Sequence, residues 1–278
     1  MKMKKLDKEG RYWNIAAHII LIIFSLIILL PLLWTLRTSF ATDVIAYEIP
    51  PKLIFPPTLK NYILLFKENN FALKFFNSFT VALLSTLISI PIAALGGYAL
   101  ARYNPGGTVS RFLIIGTQML PPIVLILPLF AIFSTIHLLN TRIGLISSYM
   151  AFNLPFLVWI LMGFFEGIPK ELEEAALIDG ASRLKSFFAV VFPIAAPGVM
   201  SAGVLSFIMC WNEFLFALVL TGAETSTIPV ALAALQTQRG VLIGKLSAGV
   251  VLANLPIVIV SFFIQKYLVR GLSFGAIK

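Results

Sequence analysis

Six apolar stretches decide what this chain can fold into: Trp13–Leu36, Phe75–Ala101, Phe112–Ile136, Ile143–Phe165, Pro197–Leu220 and Ser247–Gln265. Each is 19 to 27 residues long, and about 20 helical residues cross the hydrocarbon core of a bilayer. Glu213 is the only formally charged residue in any of them. The runs are apolar all round rather than alternating, so they predict spanning helices and not the strands of a barrel. Of 278 residues, 59% are apolar and 12% charged, against about 25% charged in an average soluble protein. A chain this short has no interior large enough to hide that excess from water. A soluble enzyme, a coiled coil and a disordered tail are excluded, and the fold class predicted is an all-α polytopic membrane protein with six transmembrane helices.

The net charge of +9 raises the question of nucleic acid, but the Lys and Arg residues lie between the apolar runs instead of gathering on a polar surface. No nucleic-acid partner is expected; the partner is the lipid bilayer. Six spans put both termini on one side. With the termini inside, the inner segments hold thirteen Lys and Arg and the outer loops eight, the bias that cytoplasmic segments carry. The cluster Lys2, Lys4, Lys5, Lys8 and Arg11 and the acid-free stretch Arg102–Arg111 are its strongest parts. A multi-pass cell-membrane protein with both termini cytoplasmic is predicted. The first run is too long, and lacks the small-residue cleavage site, to be a removed signal peptide. The organisation expected is a cytoplasmic segment 1–12, a membrane domain 13–269 with an inner loop 166–196, and a cytoplasmic tail 270–278.

Two outer segments are long. Residues 37–74 are punctuated by Pro50, Pro51, Pro56 and Pro57, and 221–246 contain the apolar stretch Pro229–Gln238, read as an interfacial helix. Cys210, the single cysteine, is a small buried hydrophobe by its surroundings and leaves no thiol pair for a disulfide or a metal. The nearest approach to a nucleotide-binding loop, Gly240 to Leu246, has three spacer residues between its glycines and ends in Leu, with no strand predicted before it. No ATPase site and no cofactor are therefore expected in this chain.

The inner loop carries its own helix signals. Pro169 suits a first helical turn, Glu171, Glu173 and Glu174 suit the positive end of the dipole, and Gly180 supplies a stop, so Lys170–Asp179 is predicted as a short helix. Ser182 can cap a second helix running to Phe192, broken by Pro193 before the membrane is re-entered at Pro197. The result is a helix hairpin on the inner surface between spans 4 and 5, with Ala175 and Ala176 small enough to admit a close neighbour.

The string Glu174-Ala175-Ala176-Leu177-Ile178-Asp179-Gly180-Ala181, followed by Phe187, Pro193 and Pro197, resembles the cytoplasmic signature of permease subunits in binding-protein-dependent ATP-binding-cassette importers. Further stretches, Tyr98 to Arg102, Leu120-Pro121-Pro122, Leu139-Asn140-Thr141, Trp211 to Phe214 and the tail Gly271 to Lys278, resemble the carbohydrate branch of that family, the maltose-type and glycerol-phosphate-type systems. The resemblance implies a coupling role toward a separate ATPase for Glu174, Ala175, Ala176, Asp179 and Gly180, and a tail contact through Gly271, Leu272, Gly275 and Ala276. It also implies a second homologous permease, two ATPase subunits that bind ATP and Mg, and an extracytoplasmic solute-binding protein. The alternatives are a permease for an amino acid or anion and an ATP-independent channel or secondary transporter; the acid-poor spans argue against proton coupling.

Polar residues inside the spans, Gln118, Asn153, Asn212, Glu213 and Asn254, are either interhelical hydrogen-bonding groups or part of a substrate path. A lone carboxylate in hydrocarbon costs roughly 3 kcal/mol, so Glu213 must be paired, protonated or facing water. Counted from Pro197 it falls about 24 Å along a helix, near the outer end of the core. Pro121-Pro122 and Pro256 predict bends close to Gln118 and Asn254.

The topology is open to direct test. Single cysteines at Thr58 and Ser182 in a Cys210→Ala background are expected to label from opposite sides with an impermeant maleimide, Thr58 in intact cells and Ser182 after lysis. Labelling of both from one side would overturn the six-span reading.

Overall fold

The computed structural model describes residues 2–237 and 240–274, with side chains for 13–236 and 240–262. These fall in two compact units, one within Met1–Asn69 and Leu235–Leu252, the other within Asn70–Ala234 and Ala253–Lys278.

The first unit begins with α1 (Lys2–Ser39), in which every side chain from Trp13 to Trp34 is exposed. A helix apolar on all faces and left uncovered by the described residues of its own unit is stable only in lipid or against another membrane helix. A single turn, α2 (Asp43–Ala46), and the amphipathic α3 (Lys60–Asn69) follow. Asn61 ties α3 to the end of α1: its Nδ2 donates to the carbonyls of Ser39 at 2.9 Å and Ala41 at 2.8 Å, covering groups that a helix end leaves open. Later in the chain come α4 (Phe71–Tyr103), α5 (Gly107–Met119), α6 (Pro122–Thr135), α7 (Arg142–Glu166), α8 (Glu171–Ile178), α9 (Arg183–Ser186), α10 (Phe192–Trp211), α11 (Leu215–Leu220), α12 (Ile228–Ala233) and α13 (Ile243–Phe274). A short antiparallel hairpin, β1 (Gln236–Thr237) with β2 (Gly240–Val241), leads into α13. There Gly244 touches Asn61 so closely that a Cβ would stand 2.7 Å from the amide. Lys245 pairs with Glu68.

The second unit is built on α4, α7 and α10. Its core gathers Ala93, Ala94 and Tyr98 of α4, Leu157, Leu161 and Phe165 of α7, and Ala195, Val199 and Ala202 of α10. Lipid tails are as apolar as these side chains, so the contacts must come from close packing, and small residues permit it. A Cβ on Gly97 of α4 would lie 2.9 Å from the Met162 amide nitrogen and 3.0 Å from the Val158 carbonyl oxygen of α7. One on Gly198 of α10 would strike the Phe164 ring at 2.6 Å.

Five helices, Trp13–Ser39, Phe71–Tyr103, Arg142–Glu166, Arg183–Trp211 and Ile243–Phe262, are long and apolar enough to cross a membrane, and α5 with α6 makes a sixth if counted as one bent span. This is the six-helix architecture expected from the apolar runs. Three details differ. The run Phe112–Ile136 is not one straight helix: α5 and α6 meet at 88° across Leu120 and Pro121, since two consecutive prolines hold the chain extended there and remove the donors that would continue the helix. Pro193 does not break the second inner helix. Residues Phe187–Val191 form a π turn, with the Phe192 amide bonded five residues back to Phe187, and this wider turn lets the chain run from α9 through Pro193 and Pro197 to Trp211. Of the stretch Pro229–Gln238, residues up to Ala233 belong to α12 and Gln236–Thr237 to the hairpin, and Gln238 lies outside the described residues.

The α4–α7 approach generates a packing prediction. Gly97→Leu, which places a side chain against backbone that cannot move aside, is expected to destabilise the protein by about 1–3 kcal/mol or more. Gly163→Ala on α7, where nothing lies within 4 Å of the new Cβ, is the control. Thermal unfolding in detergent checks both, and equal melting temperatures would refute the packing account.

Candidate functional site

The inner hairpin begins at α8. Lys170 opens the helix, and the Glu173 and Glu174 amides both return to its carbonyl at 3.0 Å. The helix closes with a paired end motif: Gly180 N–H donates to Leu177 O at 3.1 Å and Ala181 N–H to Ala176 O at 3.0 Å. That closure requires the left-handed region, and Gly180 has φ +86°. Ser182 caps α9, its Oγ accepting from the Lys185 amide at 3.3 Å.

What fixes the hairpin to the membrane helices is Glu173. Its Oε2 accepts from Arg102 Nε at 3.0 Å and its Oε1 from the Tyr98 hydroxyl, while Arg102 Nη2 donates to the Ile168 carbonyl at 2.9 Å. Both charged side chains are nearly closed to solvent, at 4% and 8% exposure. Phe187, at the start of the π turn, packs on Tyr98 with ring centroids 4.7 Å apart and on Phe165 at 5.8 Å. Arg183 of α9 lies over the Tyr103 ring at 4.9 Å. The end of α4, the end of α7 and the hairpin thus close on one polar centre walled by aromatics.

With Glu173 turned inward, the opposite face of α8 turns outward. Glu174, Ala175, Asp179 and Gly180 are exposed and Ala176 is half-buried. Nothing in the chain lies within 4 Å of a Cβ at Gly180. Leu172, Ile178 and Leu184 are exposed beside them, Ile178 at 86%. Sequence reasoning gave Glu173 only a role at the helix dipole, and placed Tyr98 and Arg102 in a family-like stretch and Arg102 in the charge bias without making either a partner of Glu173. The available signal was a lone Arg immediately after an apolar run, facing a helix start with three glutamates.

The polar residues of the spans separate. Asn153 is fully buried, its Nδ2 donating to Ser206 Oγ and, at 3.5 Å, to Cys210 Sγ. Gln118, at the end of α5, donates to the Phe152 carbonyl of α7 at 2.9 Å and holds the bent pair in place. Both make interhelical hydrogen bonds. Asn212 is exposed, and its Nδ2 returns to the Ile208 carbonyl at 2.9 Å, competing with the backbone ladder where α10 stops. Glu213 is corrected. It does not lie within a continuous span: the helix ends at Trp211, and the carboxylate accepts from the Phe216 amide at 2.9 Å and the Ala217 amide at 3.2 Å, opening α11. Its charge is met by the free amides and dipole of a helix start and not by a basic or amide side chain. Asn254 is half-buried in α13. Of the tail residues, Gly271 and Leu272 lie on the α13 backbone without described side chains, and Gly275 and Ala276 lie outside the described residues.

At the far end of the same unit a polar clasp holds the loop before α12. Asn77 of α4 accepts from Arg142 Nε at 2.8 Å and donates to the Glu224 and Ser226 carbonyls at 2.8 and 3.0 Å. The Ile228 amide donates to Ser78 Oγ at 2.7 Å, and the Gly222 amide to Asn140 Oδ1 at 2.8 Å. Among the described residues no group of three or more His, Cys, Asp or Glu side chains is placed to hold a metal ion. Contrary to the expectation from sequence, a strand, β1, does precede the Gly240–Leu246 stretch, which itself begins as β2, with Gly240 at φ +118°, and enters α13.

Comparison with known proteins bears on this geometry. Residues 89–274 match the family model described as binding-protein-dependent transport system inner membrane component. The chain is 39% identical over 254 residues to the sulfoquinovosyl glycerol transport system permease protein SmoH of Agrobacterium fabrum, covering 90% of this chain and 89% of that one. It is 36% identical over 262 residues to the trehalose/maltose transport system permease protein MalG of Thermococcus litoralis, covering 92% and 94%. Among solved structures, a chain of a bacterial ABC transporter involved in the import of the acidic polysaccharide alginate shares the fold, with TM-score 0.74 and 24% identity over 92% of this chain and 96% of that one.

The buried ion pair yields a prediction that distinguishes two adjacent glutamates. Glu173→Ala leaves Arg102 charged and without its carboxylate, which typically costs about 3–5 kcal/mol. Glu174→Ala removes an exposed side chain and is expected to stay within about 0.5 kcal/mol of the parent. Thermal unfolding of the purified protein checks the difference, and equal stability of the two variants would contradict the assignment of Glu173 as the anchor.

Proposed function

We propose, from the premise that this chain belongs to the family of binding-protein-dependent transport system inner membrane components, that it carries a carbohydrate or polyol through the membrane. It is a multi-pass permease subunit of an ABC importer. The carbohydrate class is supported by relatives named for sulfoquinovosyl glycerol and for trehalose and maltose. The observation that carries the mechanism is the α8 hairpin, anchored from inside by Glu173 and presenting Glu174, Ala175, Asp179 and Gly180 outward with Ile178 exposed among them.

An apolar side chain exposed on a polar hairpin, beside small residues that allow close approach, suits a protein partner in the cytoplasm. In our reading that partner is a separate ATPase subunit, which binds ATP and Mg, and the coupling residues are Glu174, Ala175, Ala176, Asp179 and Gly180. Two ATPases serve a pair of permeases, this chain and a homologue, both termini of this chain being cytoplasmic. The tail residues Gly271, Leu272, Gly275 and Ala276 add a second contact to the ATPase. Closure of the ATPases on ATP moves the hairpin, and because Glu173, Arg102 and Tyr98 join it to α4, the displacement passes to the spanning helices. Their two arrangements open the path alternately to the inside and to the extracytoplasmic binding protein that delivers the solute.

Gly180 tests this coupling. Gly180→Leu strains the left-handed backbone and also adds a side chain on the proposed docking face, whereas Gly180→Asn tolerates the backbone conformation and adds only the side chain. Both are expected to insert normally, and both to lose the stimulation of ATPase activity by loaded binding protein in proteoliposomes. Loss in Gly180→Leu alone would assign the glycine to helix closure; normal stimulation and uptake in both would reject the coupling role.

A further inference from the structure

The loop that follows α1 folds back along the helix instead of rising away from it. The chain leaves the helix at Phe40 and returns at Thr58, whose amide donates to the Phe40 carbonyl at 2.9 Å. Between these points the loop reaches one turn further back. Arg37 donates through Nη2 to the Lys52 carbonyl. Its guanidinium lies 4.6 Å from the centroid of the Phe55 ring and 5.2 Å from that of Trp34. Side chains on a helix lean toward its N-terminus, so Arg37 draws Lys52–Phe55 down to the level of Trp34.

The length of α1 sets that level in the membrane. From Trp13 to Arg37 the helix rises about 36 Å at 1.5 Å per residue, while the hydrocarbon core is about 30 Å thick. With the run Trp13–Leu36 in lipid, Trp34 and Arg37 stand at the membrane–water boundary, where an aromatic ring and a long cationic side chain are favoured. The residues pinned beside them include Leu53 and Ile54, which are 69% and 89% exposed in the chain. Removing such a side chain from water is worth about 1.5–3 kcal/mol, and at this height the nearest apolar medium is the acyl boundary itself.

We infer that the Lys52–Phe55 turn is an interfacial lipid anchor: Leu53 and Ile54 enter the headgroup and acyl boundary of the leaflet at the C-terminal end of α1, with Lys52 among the lipid phosphates. The inference rests on α1 spanning the membrane and is independent of the coupling role of α8 and of the solute carried. Such an anchor fixes the height and rotation of α1, whose side chains from Trp13 to Trp34 are exposed.

The test places an environment-sensitive fluorophore at Ile54→Cys, and at the exposed Lys67→Cys of α3 as the aqueous reference, each in Cys210→Ala. The full complex is reconstituted in vesicles of phosphatidylethanolamine and phosphatidylglycerol. At position 54 the emission is expected to be shifted to the blue, quenched severalfold more than at 67 by a lipid spin-labelled near its headgroup, and shielded from aqueous iodide. Adding Arg37→Leu, which releases the turn, should reduce the lipid quenching at 54. Emission and iodide quenching at 54 equal to those at 67 would overturn the inference. So would shielding that arises only when the extracytoplasmic binding protein is added, which would assign this surface to a protein partner.

Discussion

Inside a bilayer no water is available to satisfy a peptide group, so each departure from a regular helix has to be covered by the protein itself. The structure shows how this chain meets that demand. Where α10 stops at Trp211, the Glu213 carboxylate takes up the amides of Phe216 and Ala217 and starts α11. Where α5 and α6 break, Gln118 spans to the Phe152 carbonyl. Where α9 becomes α10, a π turn accommodates Pro193 without opening the helix. At each of these three breaks a side chain or a wide turn receives the freed groups.

The same constraint explains why one ion pair organises the inner end of the second unit. Arg102 and Glu173 are expensive to bury separately and tolerable together, provided their remaining hydrogen-bonding groups are also met. Tyr98 and the Ile168 carbonyl meet them. Because Tyr98 and Arg102 come from α4, the Ile168 carbonyl from the end of α7 and Glu173 from α8, these three parts cannot move apart without exposing a charge to an apolar wall. Rigidity at this point is what a hairpin needs if force applied to its outer face is to reach the spanning helices rather than deform the loop.

Much of the fold was legible in the sequence, because the demand for about 20 apolar residues per span is visible in any window of that length. The inner hairpin was legible for a different reason: Ser182 and Gly180 act on their own neighbours, so cap and closure need no knowledge of the fold. What stayed hidden depends on distance. Glu173 and Arg102 are 71 residues apart, and nothing local distinguishes Glu173 from Glu171 or Glu174 except which face of α8 meets Tyr98. The helix start at Glu213 was hidden because, apart from Asn212-Glu213 itself, nothing around it in the apolar run, neither Gly nor Pro, marks that two helices meet there. Pro193 misled in the opposite sense, since its usual helix-breaking effect is cancelled by the π turn before it.

The fate of the in-span polar groups also bears on how a hydroxylated solute could pass. A hydroxylated solute needs side chains that are accessible and whose hydrogen-bonding capacity is not already spent within the fold. Asn153 is fully buried, whereas Gln118 and Glu213 are half-buried and spend only part of their hydrogen-bonding capacity on backbone groups of their own chain. The groove bounded by Ile92, Gly96, Leu113, Thr117, Leu154 and Val158 is walled by apolar atoms, and the Thr117 hydroxyl donates to the Ile114 carbonyl. Asn212, exposed at the mouth of the α10 break, is better placed, with its carbonyl oxygen free to accept when the amide nitrogen bonds Ile208. One exposed amide cannot by itself orient a ring bearing several hydroxyls.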